Sequence, residues 1–132
     1  MKILYLTSRI PYPINKGDKL RAFHQIRLLS KNHEVLLFAL DDELKKPEDF
    51  KELKKYCSEI YVERLGKFSI IKNIFCRFFS KLPFQVSYFY SSEIKKKIDK
   101  IIELQKPDIV LCQLIRMSEY IIERNDIVKI ID

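Results

Sequence analysis

Five short apolar runs alternate along this chain with longer segments that have a helical pattern. The runs occupy residues 3–6, 35–40, 60–62, 109–112 and 128–131. Strands that alternate with helices form a parallel sheet, because each crossover helix covers one face while the chain returns to the edge where it started. The pattern therefore predicts an α/β fold in which helices sandwich a parallel sheet.

The length and composition favour one globular domain that spans residues 1–132. The chain has 132 residues, 47% of them hydrophobic and 33% charged, which excludes a disordered tail. The first apolar run ends after four residues and is followed by Arg9 and two prolines, which predicts neither a secretory signal nor a membrane span. Three cysteines without a CxxC pair are typical of buried free thiols in a cytoplasmic protein.

Besides the segment 68–79, which is treated below, three helices are predicted between the runs. Asp18 is the expected N-cap of the first, which reaches about Lys31 and repeats an apolar residue every three positions, at Leu20, Phe23, Ile26 and Leu29. Pro47 opens a second helix that continues to about Tyr56. A third helix runs from Glu93 to about Gln105, and Pro107 stops it before the fourth run.

The loop between the first run and the first helix is the expected site of chemistry. It contains Gly17, one of only two glycines in the chain, with Lys16, Lys19 and Arg21 close by. A glycine lets a ligand approach the backbone, and the free N–H groups of a helix start favour an anion. The loop is thus interpreted as a phosphate site. The alternative is that Gly17 only makes a turn.

Two glycines are too few for several nucleotide-binding motifs. The sequence contains no GxGxxG, no GxxxxGK[ST] and no GxSxG, which removes the dinucleotide, P-loop and α/β-hydrolase interpretations. It also contains no DxD motif, so no metal site is expected.

A second basic region follows the third run. Residues 64–92 carry five basic side chains and no acidic one, and residues 68–79 form a basic amphipathic helical pattern. Such a helix can lie in an anionic membrane interface, or it can pack on the core with a solvated basic back. Nucleic-acid binding is disfavoured because the aromatic residues have the spacing of a helical core. The membrane-facing residues would be Lys67, Lys72, Phe75, Arg77 and Phe78.

Several ordered segments resemble the N-terminal domain of GT-B glycosyltransferases of family four, and more narrowly the sugar transferases of bacterial exopolysaccharide and exosortase systems. The segments are Pro11-Tyr12-Pro13-Ile14-Asn15-Lys16-Gly17-Asp18-Lys19-Leu20-Arg21, His33-Glu34-Val35, Asp41-Asp42, Leu82-Pro83-Phe84-Gln85-Val86-Ser87-Tyr88-Phe89, Met117-Ser118-Glu119-Tyr120-Ile121 and Ile130-Ile131-Asp132.

The resemblance implies a Rossmann-like domain, the acceptor-side half of an enzyme that moves a sugar from a nucleotide-sugar donor to a lipid-linked or saccharide acceptor. It implies that the loop residues Lys16, Gly17, Asp18 and Arg21 face the donor diphosphate. It places Arg9, Gln113, Arg116 and Met117 on the acceptor side. The sequence lacks the histidine that many family members carry after the fourth strand, so no catalytic residue is assigned. The nucleotide-sugar is a substrate, and no cofactor is expected.

The resemblance also implies a second, donor-binding domain, which this sequence does not contain. We therefore expect the 132-residue chain to be a fragment that is inactive alone, cytoplasmic, and peripheral at the inner face of the membrane. The alternative from another class is a non-catalytic α/β module that binds a phosphorylated ligand.

Overall fold

The computed structural model describes residues 1–41, 50–65 and 89–132. Five strands form one sheet in the order β3-β2-β1-β4-β5, and every neighbouring pair is parallel. This is the strand order of a Rossmann-like fold, and it confirms the α/β prediction. The strands are β1 (Lys2–Thr7), β2 (Glu34–Asp41), β3 (Glu59–Arg64), β4 (Ile109–Cys112) and β5 (Val128–Ile131).

The strand bounds follow the apolar runs closely. β4 and β5 have the predicted bounds, whereas the first three strands each extend one or two residues further at one or both ends. The additional residues are mostly polar or charged, such as Lys2 and Glu34, which are register partners in the β1–β2 pair. In β2 the apolar run 35–40 is buried, and the backbone pairing continues one residue beyond it at each end.

One face of the sheet is covered by helix α1 (Gly17–Leu29) and by a short 3₁₀ helix, Leu53–Lys55. We call it the α1 face. Tyr5 of β1 and Leu37 of β2 are fully buried there against Ala22 and Ile26 of α1. Because successive strand residues point to opposite faces, the odd-numbered residues of β1 and β4 all lie on this side.

The other face, which we call the α2 face, is covered by helix α2 (Ser92–Gln105) and by a second 3₁₀ helix, Ile115–Tyr120. Ile94, Ile98 and Ile102 of α2 recur at four-residue spacing and are buried on the sheet. The helix ends at Gln105, and it is followed by Lys106, the C-cap in a left-handed conformation, and by Pro107. The third predicted helix is thus confirmed, with its start one residue earlier than Glu93.

The start of α1 differs from the prediction. The N-cap is Lys16, in an extended conformation, and Asp18 lies in the first turn of the helix instead of capping it. The buried face differs as well, because Lys19 is 2% exposed whereas Leu20 is 41% exposed. Ala22, Phe23 and Ile26 set the orientation of the helix, and Lys19 lies on their side at helical spacing.

The predicted helix from Pro47 to Tyr56 is not an α-helix in the part that the structure describes. Residues 50–56 form turns and the 3₁₀ helix, with Leu53 fully buried on the α1 face. Pro47 itself lies outside the described residues, as do Asp42, the amphipathic segment 68–79, and residues 82–88 of the segment 82–89 quoted above. The single-domain assignment to residues 1–132 stays a prediction.

Four buried acids of the core should make the fold labile to alkali. Burial raises the pKa of the Cys57 and Cys112 thiols from about 9 to about 12. It also raises the pKa of the Tyr5 and Tyr120 hydroxyls far above the ordinary value of about 10. A raised pKa in the folded state means that stability is fully present below the unfolded pKa and is lost as the pH rises above it.

We therefore expect the free energy of unfolding to be constant from pH 7 to pH 8.5 and to fall above about pH 9. Each group contributes up to about 1.4 kcal/mol per pH unit in its window. Urea unfolding at pH 7, 8.5 and 10.5 measures this, and Tyr120→Phe should show a shallower fall because one titrating group is removed. Equal stability at pH 7 and pH 10.5 would contradict the assignment.

Candidate functional site

The carboxyl ends of β1 and β4 meet at the point where the chain changes direction across the sheet. From β1 the chain proceeds to β2 on one side, whereas β4 and β5 extend on the other. Ligands of open α/β sheets bind at such a switch point, outside the carboxyl ends of the strands. We call the region between Thr7, Gln113 and the start of α1 the switch-point crevice, and the loop of residues 8–16 lies beside it.

Gly17, the first residue of α1, is exposed at this crevice. Its φ is not in the left-handed region, so the backbone conformation does not require glycine. A Cβ added to Gly17 would have no heavy atom within 4 Å, so packing does not require glycine either. The alternative interpretation, in which Gly17 only makes a turn, therefore has no support in the backbone. The open space is compatible with the close approach of a ligand to the N–H groups of the helix start.

Gln113 connects three elements below this space. It is 2% exposed, and its backbone N–H donates to the Leu6 carbonyl, which continues the β1–β4 pairing by one residue. Its side-chain Nε2 donates to the Asp18 carbonyl at 2.6 Å, and its Oε1 accepts from the Thr7 hydroxyl at 2.8 Å. The amide thus spans β1, β4 and the first turn of α1.

Arg9 and Asp18 form an ion pair across the ends of the loop. Arg9 Nη1 lies 3.0 Å from Asp18 Oδ2, and both side chains are roughly a quarter exposed. The other carboxylate oxygen of Asp18 accepts from the Lys19 backbone N–H at 3.0 Å. The negative charge near the helix start interacts favourably with the dipole of α1, and it also balances one of the cations that the sequence places here.

Arg21 belongs to a neighbouring polar cluster on the exposed side of α1. Its guanidinium is paired with the Asp132 carboxylate at the end of β5. Gln25 donates to the same carboxylate at 2.7 Å and accepts from the buried Tyr5 hydroxyl. The cluster fixes α1 to β1 and β5. Arg21 therefore has an anionic partner within the protein, and its role toward a phosphate stays a prediction.

The remaining predicted site residues lie in different surroundings. Lys16 is exposed at the start of α1, beside Gly17. Met117 is fully buried in the core on the α2 face, and the Arg116 guanidinium lies 5.5 Å from the centre of the Phe89 ring. The structure therefore brings Arg9, Asp18 and Gln113 into one hydrogen-bonded group and does not place the Met117 side chain at a surface.

The residue after Gln113 has an unusual backbone conformation. Leu114 has φ 66° and ψ 152°, a combination that non-glycine residues rarely adopt. Such a conformation costs about 1–3 kcal/mol and persists only where the surroundings enforce it. The N–H of Leu114 donates to the Asp132 carbonyl at 2.8 Å. The strained residue therefore has a fixed partner, and it lies between the end of β4 and the start of the second 3₁₀ helix.

Sequence reasoning missed three contributors to this region: Thr7, Gln25 and Tyr5. Each is an ordinary strand or helix residue in the sequence, and its importance depends on a partner far away along the chain, 106 residues in the case of Thr7 and Gln113. The predicted membrane-facing residues Lys67, Lys72, Phe75, Arg77 and Phe78 lie outside the described residues.

A cavity of about 350 Å³ lies at the opposite, amino-terminal edge of the sheet, lined in part by Ile102, Lys106 and Arg124. Arg124 is paired there with Asp99 at 2.9 Å and Asp126 at 2.6 Å. Within residues 1–41, 50–65 and 89–132, no three metal-ligating side chains cluster, and none of the helices has the length and apolar character needed to cross a membrane.

The chain is similar to a curated protein from a bacterial cps region. No protein-family model matches the chain. The chain is 30% identical over 122 residues to an uncharacterized 44.6 kDa protein in the cps region of Klebsiella pneumoniae. The match covers 91% of this chain and 28% of that protein, so the chain spans little more than a quarter of the relative's length.

Proposed function

We propose that this chain is the acceptor-side domain of a glycosyltransferase, which moves a sugar from a nucleotide-sugar donor to a saccharide or lipid-linked acceptor in cell-surface polysaccharide synthesis. The observation that carries the proposal is the open space in front of Gly17 at the switch-point crevice. Neither fold nor packing requires a glycine there, whereas a diphosphate that approaches the backbone would.

The chemistry of sugar transfer fits the start of α1. When the bond between the anomeric carbon and the diphosphate breaks, negative charge develops on the leaving diphosphate. The free N–H groups of a helix start and the positive end of its dipole stabilise such charge. The exposed Lys16 adds positive charge beside the crevice, whereas the charge of Arg9 is balanced by Asp18 at 3.0 Å.

The relative supports the biological context of the proposal. It is a protein in a cps region, the kind of locus that encodes capsule polysaccharide synthesis, and it is longer than this chain. A longer protein leaves room for a second domain that binds most of the donor, as the resemblance to GT-B enzymes implies. We also propose a membrane-facing role for five residues, for which the sequence pattern is the support: Lys67, Lys72, Phe75, Arg77 and Phe78.

Sugar transfer by the product of the complete gene tests the proposal. Purified protein is incubated with bacterial membranes and a panel of radiolabelled UDP- and GDP-sugars, and label in the lipid and polysaccharide fractions is counted. We expect transfer from one donor, and none from the 132-residue chain alone. Binding of a nucleoside diphosphate without transfer to any fraction would favour the non-catalytic module. Transfer by the 132-residue chain would contradict the need for a second domain.

A further inference from the structure

We infer that Gln113 is a positioning residue of the donor site. Its side chain connects the two ends of the loop of residues 8–16, since it binds Thr7 before the loop and Asp18 after it. The inference rests on the proposed function for its consequence, but its structural content stands on the contacts of Gln113 alone. The resemblance implies a place for Gln113 on the acceptor side. In the structure, however, both polar atoms of its amide are hydrogen-bonded within the protein, Oε1 to Thr7 and Nε2 to Asp18.

Four residues form a closed ring at the base of the loop. Gln113 donates to the Asp18 carbonyl, and the Asp18 carboxylate is paired with Arg9. The Thr7 hydroxyl donates its one proton to Gln113 Oε1 at 2.8 Å and accepts from the Arg9 backbone N–H at 3.4 Å. Because the Asp18 carbonyl can only accept, the amide nitrogen must face it and the amide oxygen must face Thr7. We call this set of Thr7, Arg9, Asp18 and Gln113 the loop-base ring.

The ring spans the two places where the loop is attached. Thr7 is the last residue of β1, and Asp18 is the second residue of α1, so the loop of residues 8–16 leaves and returns within the ring. Gln113 alone among the four comes from outside this segment, from the end of β4. It therefore fixes the first turn of α1 relative to the sheet. A fixed helix start keeps the N–H groups next to Gly17 oriented before a ligand arrives, which lowers the cost of binding.

The backbone around Gln113 explains why its side chain points into the ring. In β4 the residues Val110 and Cys112 are buried on the α2 face, so the alternation places Gln113 on the α1 face beside Thr7. The following residue, Leu114, has a positive φ and turns the chain away from the strand direction. Gln113 thus reaches α1 from the end of β4, and at 2% exposure its amide needs both partners.

Hydrogen exchange of the 132-residue chain tests the structural part without any ligand. We expect Gln113→Leu to accelerate exchange of the amides in residues 8–20 about tenfold, and to leave exchange in β1, β2 and β4 unchanged. Thr7→Val removes the hydroxyl and should have the same local effect, whereas Thr7→Ser retains the hydroxyl and should restore slow exchange. Unchanged exchange in residues 8–20, or equal acceleration across the whole sheet, would overturn the inference.

Gln105→Leu is the matched control. Gln105 also makes side-chain hydrogen bonds, to Glu59 and Tyr61, but at the far end of α2. The loop of residues 8–16 should exchange in this variant as in the wild type. A second measurement is calorimetric titration of the complete gene product with UDP and with GDP. Binding should be about tenfold weaker in Gln113→Leu and in Thr7→Val than in the wild type, and unchanged in Thr7→Ser. If the wild type binds neither nucleotide while the exchange results hold, the proposed function fails and the positioning role stands.

Discussion

Gly17→Val should lower sugar transfer by the complete gene product about 100-fold and leave the stability of the fold nearly unchanged. A Cβ at Gly17 meets no protein atom within 4 Å, and the backbone there is open to any residue. Valine forms helices slightly better than glycine, so the free energy of unfolding should stay within about 1 kcal/mol of the wild type. The branched side chain would, however, occupy the space through which a diphosphate reaches the helix start.

A graded series makes the measurement specific. Gly17→Ala adds one carbon and should cost about tenfold in transfer, and it should slightly raise the stability of the helix. Leu28→Val places the same valine on α1 three turns away, at a position that is 65% exposed, and should retain wild-type transfer. Sugar transfer at the wild-type rate by Gly17→Val would show that Gly17 is not part of the donor site. A large loss of stability would show that the glycine serves the fold.

Tyr120→Ala should destabilise the chain by about 3–5 kcal/mol, a large part of the total stability of a small domain. Tyr120 is fully buried on the α2 face, where its ring stacks on Tyr90 with 5.5 Å between centroids. Its hydroxyl donates to the Phe89 carbonyl and accepts from the Ser91 backbone N–H at 3.0 Å. Truncation removes the ring from the core and leaves two buried backbone groups without their partner.

Urea denaturation at pH 7 measures both parts of this effect. Tyr120→Phe keeps the ring and removes only the hydroxyl, which should cost about 1–3 kcal/mol. Ile122→Ala, nearby in sequence but 55% exposed, should change stability by less than about 1 kcal/mol. Equal losses in Tyr120→Ala and Ile122→Ala would mean that the second 3₁₀ helix is not part of the cooperative core.

The strands of this fold could be predicted because burial on both faces leaves a direct mark in the sequence. In β2 the residues 35–40 are apolar without interruption, and all of them are buried. The bounds of β4 and β5 also match apolar runs, although β4 is only partly buried and Val128, Ile130 and Ile131 of β5 are exposed. Helix α2 could also be predicted from the sequence, because its isoleucines repeat at helical spacing and Pro107 follows its end.

The orientation of α1 could not be predicted from spacing alone. Leu20, Phe23, Ile26 and Leu29 share one helical stripe in the sequence, yet the helix rotates so that Lys19 is buried and Leu20 is exposed. A long aliphatic stem makes lysine a tolerable neighbour for an apolar face. The choice between the two stripes depends on how Ala22 and Ile26 fit the sheet, which is a property of the packed structure.

The loop-base ring lay beyond sequence reasoning for a related reason. The position of the loop at the carboxyl edge of the sheet can be predicted, because a loop that follows a strand begins at the carboxyl end of that strand. The partners of the ring are instead specified by a contact between residues 7 and 113, and polar residues at strand ends carry no local signal of such a contact. The sequence indicates Gln113 as a site residue because it follows β4, but only the structure identifies Thr7 and Asp18 as its hydrogen-bond partners.

Hydrogen exchange of the complete gene product with and without UDP or GDP tests the central claim most directly, because it reports where the nucleotide binds. We predict that the nucleotide that binds slows amide exchange in residues 8–20, around Gly17. Amide exchange around the cavity at the opposite edge, near Lys106 and Arg124, should stay unchanged. Protection confined to that cavity, or binding of either nucleotide without any protection of residues 8–20, would contradict the account.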